Sequence, residues 1–270
     1  MTYSGQTAWI TGASSGIGEA LAKGLAERGA RVVLSGRNEE ALERVAEQCG
    51  DALVLPFETT DYGALPGLVG KAWDWREGVD LLVNNAGISQ RSLAEETDFA
   101  VYERIVAVDL LAPIALTQAL LPNMVARRSG RLAFISSVAG KVGVPMRTAY
   151  SAAKFGLLGY ADALRAEVSV HGIQVHGIVP GSIRTDVSRN ALTADGSRRG
   201  ISDKAIDNGI DPAVAAAEML EAMLAGEREI IVATGPEKAM GEARRTPDAV
   251  FDQMAAMVAQ GYAQRLKAGE

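Results

Sequence analysis

Tyr150, Lys154 and Ser137 stand at a spacing that could carry acid–base chemistry. In Y-S-A-A-K the tyrosine and lysine are four positions apart, on one face of a helix, so the ammonium can lie close to the phenol. A neighbouring cation favours the phenolate and lowers its pKa from roughly 10. The phenol then becomes a proton donor and acceptor usable near neutral pH. Ser137, thirteen positions before the tyrosine, adds a hydroxyl at the end of an apolar run. A Y-x-x-x-K pair by itself is most often a solvated helix face, so its weight depends on the elements that would position it.

Those elements alternate from the start of the chain. Strands are expected at 7–11, 31–35, 52–55, 79–84, 130–136, 173–179 and 229–233. Helical periods lie between them at 16–28, 38–48, 62–76, 98–127, 148–170 and 211–225. Apolar strands separated by helices imply parallel βαβ units with right-handed crossovers. No Pro/Gly/Ser linker and no repeat interrupts the pattern. The 270 residues are therefore expected to form a single α/β domain, a doubly wound Rossmann sheet of about seven strands flanked by helices. Two segments depart from the alternation. The polar stretch 186–210 is longer than most such connections and is expected to be a substrate loop or lid, with a plain surface excursion as the alternative. The tail 245–267 is expected to be an amphipathic helix, with Phe251, Met254, Met257 and Val258 packed against this subunit or a partner.

T-G-A-S-S-G-I-G (11–18) follows the first strand and opens the first helix. Gly12, Gly16 and Gly18 allow a tight turn, close approach to a pyrophosphate and close helix packing, with Ser14, Ser15 and Ile17 completing the loop. The helix N-terminus turns free N–H groups toward the phosphates. The second strand ends in L-S-G-R-N, where an NAD-selective site would carry an acid for the ribose hydroxyls. Ser35, Arg37 and Asn38 stand there instead, and a guanidinium suits a 2′-phosphate, so NADP(H) is expected in preference to NAD(H). A solvated loop arginine is the plain alternative for Arg37. N-N-A-G (84–87) ends the fourth strand at the carboxyl edge, offering Asn84 to a ribose and Ala86 and Gly87 for close passage of a cofactor. P-G-S-I-R-T (180–185) follows the sixth strand, with Pro180, Gly181, Ile183 and Thr185 as candidates for the nicotinamide carboxamide and phosphates.

Composition narrows the partners. A net charge of −6 without a dense basic tract argues against nucleic acid. One cysteine, Cys49, suits a reducing compartment. No run approaches the roughly 20 apolar residues of a spanning helix, and the N-terminus does not read as a secretion signal. A cytoplasmic protein without a membrane span is expected. His171 and His176 lack acidic or cysteine companions at ligand spacing, so no metal site is expected.

The three spaced glycines, N-N-A-G, Ser137, Y-S-A-A-K and P-G-S-I-R-T occur in order at intervals that together resemble the short-chain dehydrogenase/reductase family over about residues 5–235. V-A-V-D-L-L-A-P-I-A-L-T-Q-A-L-L-P, P-M-R-T-A-Y-S-A-A-K and N-A-L-T-A-D-G-S are similar to the branch of dehydrogenase/reductase member 7B. Unlike the membrane-anchored members of that branch, this sequence shows no N-terminal hydrophobic segment. The resemblance implies that Tyr150 is the general acid–base, that Lys154 lowers its pKa and binds the nicotinamide ribose, and that Ser137 orients the substrate carbonyl. It also implies assembly as a homodimer or homotetramer through the long helices.

The chain departs from the family pattern at Asp109, where an asparagine whose backbone carbonyl holds a relay water is usual. Aspartate keeps the carbonyl and adds a carboxylate that could raise the lysine pKa. A second departure is P-F-E-T-T-D (56–61), which places Glu58, with Thr59, where D-V-T usually meets the adenine. The resulting expectation is an NADP(H)-dependent oxidoreductase interconverting a carbonyl and a secondary alcohol, acting on a fairly apolar small molecule lined by Val138, Val144, Pro145 and Met146. A nucleotide-binding regulatory or scaffold protein and an NAD-linked enzyme are the alternatives.

Overall fold

The computed structural model describes residues 2–242 together with 260, 261, 265 and 267. Residues Phe251, Met254, Met257 and Val258, on which the expected C-terminal helix rests, lie outside the described residues. Seven parallel strands form one sheet in the order β3-β2-β1-β4-β5-β6-β7. They are β1 (Thr7–Thr11), β2 (Arg31–Ser35), β3 (Ala52–Val54), β4 (Leu81–Asn84), β5 (Gly130–Ile135), β6 (Ile173–Pro180) and β7 (Glu229–Val232). The chain winds outward from β1 to β3, then returns to place β4 on the other side of β1. That reversal opens a crevice at the carboxyl ends of β1 and β4, where ligands of such sheets bind.

Strand parity sends the apolar side chains to both faces. Ala8, Ile10, Val32 and Leu34 pack with Leu21 and Leu25 of α1 (Gly16–Glu27) and Met219 and Leu220 of α8 (Pro212–Ala225). Trp9, Val33, Leu82 and Phe134 face the other way. There they meet Leu68 of α3 (Leu65–Trp75), Leu116 and Leu120 of α5 (Ala112–Arg127) and Leu157 of α6 (Thr148–Val168). Each large side chain so buried contributes about 1.5–3 kcal/mol. Local signals agree with the packing. Asn38 accepts the Ala41 N–H at the start of α2 (Glu39–Cys49), and Asp211 does the same for Ala213 ahead of Pro212.

The expected helix at 98–127 is interrupted in a way its apolar period does not reveal. α4 (Phe99–Val106) runs into a π-helical turn, Ala107–Leu111, before α5 begins. Pro113 has no N–H to give to the carbonyl of Asp109 four positions back, and the Ala112 N–H reaches Ala107 five back instead. This turn fixes the position of Asp109. By length and composition alone the run Phe99–Arg127 is long and apolar enough to cross a membrane, which corrects the expectation of no such stretch. One of its faces packs on the sheet through Leu116, Leu120 and Met124.

The segment 186–210 is folded against the body and includes α7 (Lys204–Asp207). Leu192 bridges to Gln90 and to Arg198, and Ile210 bridges to Ile183. Asp203 anchors the segment. Its carboxylate accepts from Arg91 Nε at 2.8 Å and Nη2 at 2.6 Å, with Arg199 and Arg147 on the same group. Burial opposes the charge on Asp203, but Arg91 and Arg199 outweigh it and hold the carboxyl below the usual range. Asp203→Asn removes one side of a buried pair and is expected to lower unfolding stability by about 3–5 kcal/mol, measured by denaturant titration. Because the folded pKa is depressed, this contribution is present above the unfolded value near ~3.9 and fades as pH falls through the folded one. The gap between wild type and variant should therefore close in acid.

Candidate active site

The crevice is a cleft of about 730 Å³ along the carboxyl edge of the sheet. The structure brings Ser137, Tyr150, Lys154 and Asp109 into it together with the glycine loop. Ser137 ends the segment after β5, where its Oγ accepts the Ala139 N–H at 3.1 Å and caps a short 3-10 turn. Tyr150 and Lys154 lie on one face of the first turns of α6, and the ammonium is 5.6 Å from the centre of the phenol ring.

Lys154 is committed elsewhere as well. Nζ donates to the Ile135 carbonyl at 3.0 Å and pairs with Asp109 Oδ2 at 3.1 Å. The side chains of this pair are 5% and 0% exposed, which removes solvent screening between them. The other carboxylate oxygen of Asp109 accepts the Ile88 N–H at 2.8 Å. Burial disfavours the charge on Lys154, but Asp109 and Tyr150 outweigh it and the ammonium keeps its proton above the ordinary lysine value. Burial also pushes the Asp109 carboxyl up, against the pull of Lys154 and the Ile88 N–H. The lysine has the Ile135 carbonyl as a second acceptor. A Cβ on Gly87 would stand 3.1 Å from Asp109 Oδ2 and 3.3 Å from Lys154 Nζ, so this pair also requires the glycine after β4.

At the other end, Gly12 and Gly16 take φ of +64° and +58°, and with Ser14, Ser15 and Ile17 they line the cleft. Gly18 does not reach it; its place is a packing position, where a Cβ would fall 2.2 Å from the Gly12 carbonyl oxygen. Arg37, Glu58 and Thr59 line the cleft beyond β2 and β3. Arg37 lies 3.5 Å from Glu58 and both are exposed. Ala86, Gly87, Pro180, Gly181, Ile183 and Thr185 close the remaining edge.

Ser35, Asn38 and Asn84 are not among the lining residues, and each has a structural use. Ser35 accepts from Trp9 Nε1 at 2.9 Å and donates to the Leu55 carbonyl. Asn38 caps α2, and Asn84 Nδ2 donates to Thr117 Oγ1 at 3.1 Å on the helix side of β4. The next residue, Asn85, turns to the cleft and donates to the Thr11 and Gly12 carbonyls at 2.9 and 3.2 Å, tying β4 to the glycine loop. The expected apolar lining is corrected too: Val138, Val144, Pro145 and Met146 do not line the cleft, and Val138 and Met146 are buried. The segment 186–210 supplies Val187, Asn190, Leu192, Arg198 and Ile206, and α4 supplies Arg104. His176 is a buried structural residue, its Nδ1 2.6 Å from the Glu227 carbonyl, with burial holding the ring below the ordinary imidazole pKa.

A family model described as short chain dehydrogenase matches residues 6–196. The chain is 39% identical over 234 residues to dehydrogenase/reductase SDR family member 7B of Bos taurus, covering 83% of this chain and 72% of that protein. It is 41% identical over 236 residues to dehydrogenase/reductase SDR family protein 7-like of Drosophila melanogaster, covering 84% and 72%. Among solved structures, a short-chain dehydrogenase from Streptomyces avermitilis superposes with TM-score 0.77 at 28% identity over 96% of this chain and 98% of that one. A metagenomic short-chain oxidoreductase in complex with NADP gives TM-score 0.70 at 31% identity over 85% and 97%. A short chain dehydrogenase/reductase from Burkholderia phymatum in complex with NAD gives 0.78 at 21% identity over 86% and 90%, a likeness of fold.

Proposed function

Because this chain belongs to the short-chain dehydrogenase/reductase family, whose nicotinamide-dependent oxidoreductase activity on CH–OH groups it shares, we propose that it interconverts a carbonyl and a secondary alcohol with NADP(H), Tyr150 serving as general acid–base. One observation carries this reading: Ser137, Tyr150 and a lysine paired with Asp109 share a single cleft with the glycine loop. The loop fits a dinucleotide, since the positive φ of Gly12 and Gly16 and the close approach of Gly12 to Ala86 leave a concave backbone that side chains would fill. Gly12, Ser14, Ser15, Gly16 and Ile17 would hold the pyrophosphate, and Ala86, Gly87, Pro180, Gly181, Ile183 and Thr185 the nicotinamide half. When bound, the nicotinamide supplies or accepts the hydride.

The residues of the chain manage the proton and the oxygen. Tyr150 gives its phenolic proton to the substrate oxygen in reduction and takes it back in oxidation. Ser137 Oγ already accepts the Ala139 N–H, so its own O–H is left to donate to that oxygen as charge develops there. Lys154 has three N–H donors; Asp109 and Ile135 take two, leaving one for a ribose hydroxyl. Asp109 secures the positive charge that this arrangement needs.

NADP(H) is favoured by Gly36 and Arg37 after β2, where no acid meets the ribose. The 2′-phosphate would draw Arg37 away from Glu58, whose exposed partnership is weak. On the same reading the chain works as a single domain in the cytoplasm, as a homodimer or homotetramer. Exposed Phe99, Leu111 and Phe155 on the long helices, and the free Cys49, support that reading.

Tyr150→Phe is expected to lower kcat at least about 100-fold in a carbonyl-reduction assay while dinucleotide binding, followed by fluorescence, persists. Equal loss of both would disqualify the tyrosine as the acid–base. Arg37→Ala is expected to weaken NADPH about tenfold or more and NADH little, measured by titration of both. A parallel loss for the two cofactors would assign Arg37 no part in the preference.

A further inference from the structure

The charged residues of the cleft balance everywhere but at one place. Glu58 has Arg37, Asp109 has Lys154, and Asp186 has Arg189 at 3.5 Å. Arg104 and Arg198 also line the cleft, and neither guanidinium has an ion pair or hydrogen-bond partner among the described residues.

Both are mounted on the apolar cluster that carries the reactive phenol. Val101 and Ile105 of α4, Ala149 and Leu192 form that cluster, and Tyr150 packs against it. Arg104 adjoins Ile105 in α4, and Arg198 is bridged to Leu192. The tip between them is docked on α4: the Asp98 N–H donates to the Ala194 carbonyl at 2.9 Å, and a Cβ on Gly196 would lie 3.6 Å from Val101. The two arginines thus reach the cleft from a helix and from the substrate loop docked on it. The glycine loop and Arg37 belong to different elements, so the dinucleotide phosphates have their own partners.

We propose that Arg104 and Arg198 form an anion subsite for the substrate, which is a carbonyl compound or secondary alcohol bearing a carboxylate or phosphate group. The subsite rests on the oxidoreductase reading above and adds the substrate class to it. Guanidiniums bind such groups through paired, charge-assisted hydrogen bonds. The charge of the substrate fixes which end of the molecule faces solvent, and the carbonyl is thereby turned inward to Ser137 and Tyr150. Because both arginines are exposed, the attraction is screened by salt and acts best at low ionic strength.

The test is a reduction panel with NADPH and with NADH. It pairs aliphatic keto acids with their methyl esters, and phosphate monoesters of hydroxyketones with the free hydroxyketones. Wild type is expected to prefer the anionic member of a pair in kcat/KM, and Arg104→Gln or Arg198→Gln to reduce that preference about tenfold each. The carboxylate and phosphate arms separate the two sources of charge, and a preference in either supports the subsite. A preference for the neutral members, or an anion preference that survives the Arg104→Gln/Arg198→Gln double variant, would overturn it while leaving the oxidoreductase reading intact. Weakened NADPH binding in the double variant with the substrate ratio unmoved would also overturn it, by giving the arginines to the cofactor. No turnover of any carbonyl by wild type with either cofactor would remove the reaction itself, and the subsite with it.

Discussion

A buried ion pair without solvent to support it is an expensive object, and the site depends on one. Removing Asp109 and Lys154 from water costs several kcal/mol per ion, which is recovered only with good geometry and extra hydrogen bonds. Hydrogen bonds support the pair from both sides. One carboxylate oxygen meets the ammonium and the other takes the Ile88 N–H, while the ammonium also bonds the Ile135 carbonyl. The pair therefore ties together the π turn before α5, the loop after β4, the end of β5 and the start of α6. These are the elements that converge on the Tyr150 end of the cleft. A proline that cannot continue the helical bonding and a glycine without a side chain make room for it.

The sheet supplies the rest of the framework. Reversal of winding between β1 and β4 opens the crevice, and the parity of each strand decides which side chain looks into it. Asn84 and Asn85 show how sharply parity acts. The first is the last strand residue and turns to Thr117 on the helix side; the second turns to the glycine loop. Ser35 and Asn38 are likewise consumed locally, one by Trp9 and Leu55, the other by the start of α2.

Most of this framework was legible from the residues alone, because buried parallel strands and amphipathic helices have distinct periods. All seven strands lie within two residues of their expected bounds. That the glycine loop, Ser137, Tyr150 and Lys154 meet in one cleft was legible because residue type and spacing are distinctive together. The π turn was not, since its apolar period runs on unbroken through Asp109; Pro113 was the one available signal. Val138, Val144, Pro145 and Met146 were misplaced because an apolar stretch between two reactive residues can turn to the interior as readily as to a ligand. Arg104 could have been found as the residue one turn before Val108 on the cleft face of its helix. Arg198 carried no such signal, because its position depends on how the loop docks on α4.

Whether Asp109 keeps Lys154 charged beside Tyr150 is open to direct measurement. Lys154 can be followed by its ¹⁵N ammonium resonance as pH is raised, in wild type and in Asp109→Asn. The wild-type midpoint is expected above the ordinary lysine value of about 10.4 and should move downward when the carboxylate is removed. A wild-type lysine that loses its proton near neutrality, or one whose titration ignores the substitution, would contradict it.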